Sequence, residues 1–290
     1  MRWPARIGRY EVRQLLGTGG TAEVLLGVAD DGREVALKRV LAERTDDAVA
    51  TAVLRSEGRL LGRIHDEHVV GLVEIVEGLV PALALERMVG CTLAQLTERV
   101  GRLPLELSVE VASQAAQALS AVHASTDEAG RPLHVVHRDV SPANLFVTDA
   151  GVVKLFDFNV AFTREHAEAP APGSLQGRVA YMAPEQARVE HVSDRADVFS
   201  LGVVLWELVT GERLYWRGNT LATLRALLDE PTPAASSRCP GVPAALDALL
   251  VAMLSPIARE RPDAVALSAA LQAQGGEVGD RRRRLGGLVA

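Results

Sequence analysis

Short apolar runs separated by polar or glycine-rich turns characterise residues 1–89. Five of these runs have the length and apolar content of β-strands: Tyr10–Leu16, Val24–Val28, Val35–Lys38, Val69–Val76 and Pro81–Leu85. After the third run, apolar side chains at helical spacing predict a helix that begins near residues 45–47. Its buried stripe is expected to comprise Val49, Val53, Leu60, Leu61 and Ile64. These patterns predict a five-stranded antiparallel sheet with one helix.

Longer apolar segments with helical periodicity dominate residues 90–274. They predict helices at Leu93–Val100, Leu105–His123, Asp197–Val209, Leu221–Leu228, Ala244–Leu254 and Asp263–Gln272. The third of these is apolar on nearly every side, which predicts a helix that is buried all round. Residues 275–290 carry the basic cluster Arg281–Arg284 and are predicted to be a disordered tail. The expected fold class is α+β, with a small unit at residues 1–89 and a larger, mainly helical unit at residues 90–274.

Composition narrows the class of protein without identifying it. The 290 residues are 48% hydrophobic and 23% charged, an ordinary globular balance. The net charge of −6 does not favour a nucleic-acid partner. Cys91 and Cys239 lie far apart and form no disulfide or metal pattern, so a reducing cytoplasm is expected. No apolar run reaches the length of about 20 residues that a membrane span needs.

Lysine is scarce in this chain, which draws attention to Lys38. Lysine occurs only at positions 38 and 154, and every other basic residue is arginine. Glu57 falls on the apolar stripe of the first helix, where a carboxylate needs a cation as partner. Lys38 is the candidate partner. The alternatives are that Lys38 is a solvated strand residue and that Glu57 lies at the edge of the stripe beside Arg63.

A glycine-rich turn joins the first two predicted strands. Its glycines, Gly17, Gly19 and Gly20, allow a close backbone approach, and the amides of such a turn can hold phosphate groups. A simple β-hairpin is the alternative, because a single glycine-rich turn is weak evidence.

A second set of polar side chains lies in loops between strand-like apolar runs. Asp139 and Asn144 are five residues apart, and Asp157 follows thirteen residues after Asn144. The flanking runs are Leu133–Val136, Leu145–Val147 and Val152–Phe156. Catalytic groups are often held in loops on a rigid scaffold, although an Arg-Asp pair in a turn is also a common surface ion pair.

Taken together, and in the order in which they occur along the chain, these motifs resemble those of protein kinases, most closely the bacterial Ser/Thr members. The resemblance covers roughly residues 8–273 and implies a two-lobed fold. It implies that Lys38 holds the α- and β-phosphates of ATP and pairs with Glu57. It also implies that Asp139 accepts the proton of the substrate hydroxyl, while Asn144 and Asp157 bind Mg²⁺.

The same resemblance assigns a nucleotide site. The glycine-rich turn with Gly17 and Gly19 would cover the phosphates, and backbone groups of Glu86 and Met88 would hydrogen-bond adenine. The side chains expected on the two faces of adenine are Leu16, Val24, Ala36 and Phe146.

Further matches concern specificity and the expected partners. Ala183-Pro184-Glu185 resembles the motif that closes the activation segment, with Arg261 as the expected partner of Glu185. Pro142 favours Ser/Thr over Tyr specificity. The implied partners are ATP and protein substrates with Ser or Thr hydroxyls, including the chain itself by autophosphorylation. One alternative is a nucleotide-binding pseudokinase or scaffold. The other is a small-molecule phosphotransferase, which Glu185 and Arg261 disfavour because those enzymes lack this motif and its arginine partner.

Three residues depart from the family pattern. Ser141 replaces a lysine, Asn159 replaces the glycine after Asp157-Phe158, and Arg178 replaces a threonine. One hypothesis is that the cation has moved from position 141 to position 178, so that Arg178 serves in catalysis. The alternative is that Arg178 faces solvent and Ser141 only caps a turn.

Overall fold

The computed structural model describes residues 3–44, 47–78, 81–158, 178–274 and 278–289, without the side chains of Arg178 and Val278. The chain divides into two compact units, Met1–Val89 and Gly90–Ala290. The first is mainly a sheet and the second is mainly helical, which confirms the α+β expectation.

The first unit contains a six-stranded antiparallel sheet with the order β1-β2-β3-β4-β6-β5. Its strands are β1 (Arg6–Ile7), β2 (Tyr10–Thr18), β3 (Ala22–Val28), β4 (Glu34–Val40), β5 (Leu72–Val76) and β6 (Ala82–Glu86). The expectation of five strands was wrong by one. The additional strand β1 pairs Ile7 with Tyr10 at the sheet edge, and two residues are too few for a periodic pattern to show.

Helix α1 (Ala48–Leu61) packs on one face of this sheet. Asp47 caps it, because the Asp47 side chain accepts a hydrogen bond from the Ala50 amide at 2.9 Å. A Cβ on Gly58 would lie 2.5 Å from the Leu83 side chain, so glycine permits this close approach of helix and sheet. The predicted stripe was wrong at Val49, which is 65% exposed in the first turn, whereas Leu54 is buried.

A small three-stranded antiparallel sheet begins the second unit. Its strands are β7 (Gly90–Thr92), β8 (Leu145–Thr148) and β9 (Val153–Leu155), with β8 in the middle. Residues 133–136 were expected to be a further strand and are not. Val135 and Val136 are buried there, but they belong to no strand ladder; their apolar character reflects burial alone.

Eight helices are described in the second unit, and the bounds of six of them were expected to within two residues. They are α2 (Leu93–Val100), α3 (Leu105–His123), α4 (Pro184–Ala187), α5 (Arg195–Thr210), α6 (Thr220–Asp229), α7 (Ala244–Met253), α8 (Ala264–Ala273) and α9 (Val278–Gly287). Helix α3 has the predicted bounds. Helix α5 is buried along almost its whole length and ends at Gly211, which adopts the left-handed conformation with φ of 75°.

The expectation of a disordered tail was wrong for residues 278–289. Helix α9 packs against α3 and β8, and Leu285 is fully buried. Four consecutive arginines suggested a solvated segment, but Arg281 pairs with Glu110 and Arg284 with Glu106, both distant in sequence. In the ranges that the structure describes, no helix combines the length and the apolar composition needed to cross a bilayer.

Candidate active site

Asp139 and Asn144 are joined by hydrogen bonds in the loop that precedes β8. Asn144 Nδ2 donates to Asp139 Oδ2 at 2.7 Å and to the Asp139 carbonyl at 2.8 Å. The loop is braced at its turn, because the Asn144 amide donates to the Ser141 carbonyl at 3.0 Å. The Pro142 carbonyl in turn accepts from the Ala94 amide of α2 at 2.9 Å. These contacts hold one carboxylate and one amide in a fixed relative position.

Asp197, in the first turn of α5, anchors the start of this loop. Its two carboxylate oxygens accept hydrogen bonds from the His137 and Arg138 amides, both at 2.8 Å. His123 Nε2, from the end of α3, lies 2.8 Å from Asp197 Oδ2. Burial alone would raise the Asp197 pKa, but these hydrogen bonds and the charges of His123 and His137 outweigh it and lower the pKa. Arg138 has a φ of 66°, which such bonds help to maintain.

The β8–β9 hairpin brings Asp157 close to Asn144. Leu145 pairs with Leu155, and the Phe156 amide donates to the Asn144 carbonyl at 3.1 Å. Asp157 therefore follows directly after the residue bonded to Asn144, and its φ of 68° turns the chain sharply. The Phe156 carbonyl lies 3.2 Å from His137 Nε2, which connects the hairpin to the start of the loop that precedes β8.

The donor atoms of these loops fit a hard divalent cation. Because Asn144 Nδ2 is bound to Asp139, the Asn144 amide has a fixed orientation, in which Oδ1 is its remaining ligand atom. Carboxylate and amide oxygens are the ligands that Mg²⁺ prefers. Among the described residues, no cluster of three or more acidic, histidine or cysteine side chains is suited to a metal.

In the first unit, Lys38 and Glu57 form the pair expected from the sequence. Lys38 Nζ lies 2.6 Å from both carboxylate oxygens of Glu57. The two side chains are only 7% and 1% exposed. Lys38 is on β4 and Glu57 on α1, so this ion pair also fixes the helix on the sheet.

Apolar residues next to Lys38 share its face of the sheet. Val24 on β3 is the direct partner of Lys38 on β4, and Ala36 lies two residues before Lys38. Leu16, Val24 and Ala36 are all half-buried. A Cβ at Gly17 would meet no other atom, so packing among the described residues does not require glycine there. Gly19 donates its amide to the Ala22 carbonyl at 2.8 Å, which closes the turn.

The segment after β6 provides the remaining predicted residues of the first unit. The Glu86 amide donates to the Gly71 carbonyl at 2.9 Å, and Glu86 Oε1 accepts from the Gly71 amide at 2.7 Å. The Met88 carbonyl accepts from Arg87 Nη1 at 2.5 Å. In the second unit, Phe146 is half-buried on β8 and meets Phe156 edge to face at 6.3 Å between ring centres.

A second expected ion pair lies in the helical unit. Arg261 Nη1 and Nη2 bind the two carboxylate oxygens of Glu185 at 2.6 and 2.8 Å, and both side chains are buried. Gln186, the next residue, donates to the Arg138 carbonyl at 3.0 Å. The segment at α4 is thereby connected to the loop that precedes β8, a contact that no sequence pattern signalled.

The sequence analysis missed one residue of the site, and some of the residues that it did predict lie outside the described part of the chain. His123 was missed as a partner of Asp197, since a histidine at a helix end has no distinctive spacing. Asn159 and the side chain of Arg178 lie outside the described residues; the Arg178 backbone belongs to the 3₁₀ turn Arg178–Tyr181. Ser141 is buried.

Comparison with known proteins gives consistent matches over nearly the whole chain. A family model described as the protein kinase domain matches residues 10–271. The relative named Tyrosine-protein kinase MasK, from Myxococcus xanthus, is 36% identical over 276 residues, or 91% of this chain and 43% of its own length. Serine/threonine-protein kinase PknL of Mycobacterium bovis is 33% identical over 268 residues, or 91% of this chain and 65% of its own length.

The match to Serine/threonine-protein kinases PknA of Corynebacterium glutamicum is shorter. It is 33% identical over 233 residues, which is 77% of this chain and 48% of that protein. All three relatives are bacterial, and this chain spans between 43% and 65% of their lengths.

Proposed function

The chain belongs to the protein kinase family, and we propose that it transfers the γ-phosphate of ATP to serine and threonine hydroxyls of proteins, including its own. The observation that carries this proposal is the bonding of Asp139 to Asn144, next to the loop with Asp157. Phosphoryl transfer depends mainly on positioning and on charge stabilisation, and this arrangement holds the necessary groups in place.

In this proposal Asp139 acts on the substrate hydroxyl. Its carboxylate accepts the hydroxyl proton and orients the oxygen for attack on phosphorus. The bond from Asn144 Nδ2 to Oδ2 restrains the rotation of the Asp139 side chain. Asp197 maintains the backbone of the same loop through the His137 and Arg138 amides. The chain therefore restrains both the carboxylate and the loop that carries it before substrate binds.

Lys38 and the apolar residues near it are proposed to bind the nucleotide. Protein kinase domains bind ATP and typically use a divalent cation. Lys38, held by Glu57, would contact the α- and β-phosphates, with the backbone of Gly17 and Gly19 over the phosphates. Leu16, Val24 and Ala36 would contact adenine. Since the Glu86 amide already donates to Gly71, Glu86 would contribute its carbonyl oxygen and Met88 its backbone.

Asn144 and Asp157 are proposed to hold Mg²⁺ through Asn144 Oδ1 and the Asp157 carboxylate. When bound, the cation neutralises charge on the phosphates. The hydrogen bond to Asp139 orients the Asn144 amide, and the β8–β9 hairpin positions Asp157 at its end, before the cation binds.

Two classes of hydroxyl are candidates for the phosphate acceptor, those of serine and threonine and that of tyrosine. Pro142 in the catalytic loop and the relatives named PknL and PknA favour Ser/Thr. The relative named as a tyrosine kinase, at 36% identity, favours testing tyrosine as the second candidate. Phosphoamino-acid analysis of the autophosphorylated protein and of a mixed peptide library decides between them. Phosphoserine or phosphothreonine is expected, and phosphotyrosine alone would contradict the proposal.

Turnover itself is tested by transfer of labelled γ-phosphate from Mg·ATP, with Asp157→Ala as the inactive reference. If the chain were a nucleotide-binding pseudokinase, the wild type would bind ATP, but neither the wild type nor Asp157→Ala would transfer phosphate. The proposal places the domain in the cytoplasm, where ATP is available; Cys91 and Cys239 are both free thiols.

A further inference from the structure

Helix α9 lies beyond residues 10–271, the part of the chain that matches the kinase family model. Its docking is therefore not explained by the family resemblance. The helix packs against α3 and the β8–β9 hairpin, and Leu285 within it is fully buried. Arg99 Nη2 also donates to the Leu288 carbonyl and, at 3.1 Å, to the Val289 carbonyl just after the helix.

A buried ion pair joins α9 to α3. Arg281 Nε lies 2.8 Å from Glu110 Oε2, with side chains only 6% and 2% exposed. These two atoms are not aligned as a hydrogen bond, so the contact is a pairing of charges. An uncompensated buried charge is strongly unfavourable. Glu110 on α3 therefore depends on Arg281, and an exposed pair, Arg284 with Glu106 at 2.6 Å, extends the same contact.

Glu110 continues this contact to the hairpin through Gln114. Gln114 Nε2 donates to Glu110 Oε1 at 2.8 Å and to the Gly151 carbonyl at 3.2 Å. Gln114 Oε1 accepts from the Val153 amide at 2.7 Å. A continuous chain of polar contacts thus runs from Arg281 to the turn and to the first residue of β9.

The backbone of α9 also contacts this turn directly. A Cβ on Gly286 would lie 2.2 Å from the Asp149 carbonyl oxygen, so only glycine allows the observed approach. Gly151, with φ of 74°, is equally close to α9, since a Cβ there would lie 1.8 Å from the Arg282 carbonyl oxygen. By contrast, a Cβ on Gly287 would meet nothing.

We propose that α9 is a brace that positions the β8–β9 hairpin, with Arg281 as its positioning residue. The start of β8 follows Asn144, and the end of β9 leads to Asp157. The effect on phosphoryl transfer rests on the proposed function, whereas the effect on the hairpin does not. When α9 is docked, it restrains the distance between the loops that carry Asn144 and Asp157. When α9 is undocked, the turn of the hairpin loses its support.

The test compares Gly286→Ala with Gly287→Ala in the full chain. Both changes raise helix propensity by about the same amount, but only the first places a methyl group against the hairpin. Hydrogen exchange of residues 145–155 is measured together with kcat and the Mg²⁺ concentration for half-maximal activity. Gly286→Ala should speed exchange in the hairpin and lower kcat at least about tenfold, since small misplacements of catalytic groups are costly. Gly287→Ala should behave as wild type.

A second set of variants addresses the ion pair. Arg281→Met should reproduce the faster hairpin exchange, and Arg281→Lys, which retains the charge, should largely restore protection. The control is Arg283→Met, because the Arg283 side chain is 80% exposed. Unchanged hairpin exchange in both Gly286→Ala and Arg281→Met would overturn the brace. Faster exchange in the hairpin with unchanged kcat would overturn the role of α9 in catalysis. An inactive wild type would refute the proposed function, whereas the exchange data would still show whether α9 positions the hairpin.

Discussion

Asn144 donates its side-chain amide to Asp139 at two oxygens, the carboxylate Oδ2 at 2.7 Å and the main-chain carbonyl at 2.8 Å. This bond joins the residue proposed to receive the substrate proton to a residue proposed to bind the cation. A change at either residue is therefore expected to disturb the other.

We expect Asp139→Asn to remove most of the activity and little of the stability. The substitution keeps the size of the side chain and an oxygen that can face Asn144, but it removes the proton acceptor. Loss of a general base typically costs about 10²–10⁴-fold in rate. Labelled phosphate transfer and thermal unfolding are measured together, with Asp30→Asn at an exposed position as the control. Activity within a few-fold of wild type would refute the role of Asp139.

The Lys38–Glu57 pair should contribute to stability and activity in separable ways. Removal of one partner from a buried ion pair leaves an uncompensated charge and costs about 3–5 kcal/mol. Lys38→Met and Glu57→Leu should each be destabilising, and the double variant should lose less stability than the sum. All three variants should lack phosphate transfer.

Urea unfolding measures these differences. The surface pair of Arg55 and Glu77, with side chains 36% and 62% exposed, supplies the control. Arg55→Met should cost less than about 1 kcal/mol. Additive losses in the Lys38/Glu57 double variant would show that the two side chains do not depend on each other.

Asp197 should make stability dependent on acid pH. Its pKa in the folded protein is lowered, so it lies below the value of about 3.9 expected in the unfolded chain. The stabilisation is therefore complete above the unfolded pKa and is lost as the pH falls through the folded pKa. Asp197→Asn should be destabilising near neutral pH, because a carboxylate oxygen that accepts from the His137 or Arg138 amide is replaced by a donor.

The measurement is the difference in unfolding free energy between wild type and Asp197→Asn. This difference should shrink as the pH falls from about 5 to about 2. A difference that stays constant across that range would contradict the assigned pKa direction.

Ser141 and Arg178 form the last testable pair, and the prediction comes from the sequence alone. If the phosphate-contacting cation has moved from position 141 to position 178, Arg178→Thr should cost about 10²–10³-fold in rate, as for loss of a preorganised charge contact. Ser141→Lys alone should also be damaging, since it adds a second cation. The combined variant should regain activity. Independent, additive rate losses in steady-state kinetics would exclude the exchange.

Local patterns predicted much of this fold because each pattern has a local physical cause. Helical spacing of apolar residues identified α3 with its true bounds, and an apolar segment without a polar face identified α5 as buried. The Lys38–Glu57 pair followed from a carboxylate on an apolar stripe that required a cation, and the Glu185–Arg261 pair followed from the family resemblance. Where the local signal was short, as in β1, or reported burial alone, as at residues 133–136, the prediction was wrong.

The sequence by itself determined which groups are proposed to carry the chemistry and most of the elements on which they lie, since residue type and periodicity are local properties. Apart from the Lys38–Glu57 and Glu185–Arg261 pairs, tertiary structure decided which distant groups meet. The contact of His123 with Asp197, the approach of Gly286 to Asp149 and the burial of Arg281 against Glu110 join residues separated by 70 positions or more. A run of arginines indicates a solvated tail unless the fold supplies a buried carboxylate, and no local pattern shows that it does.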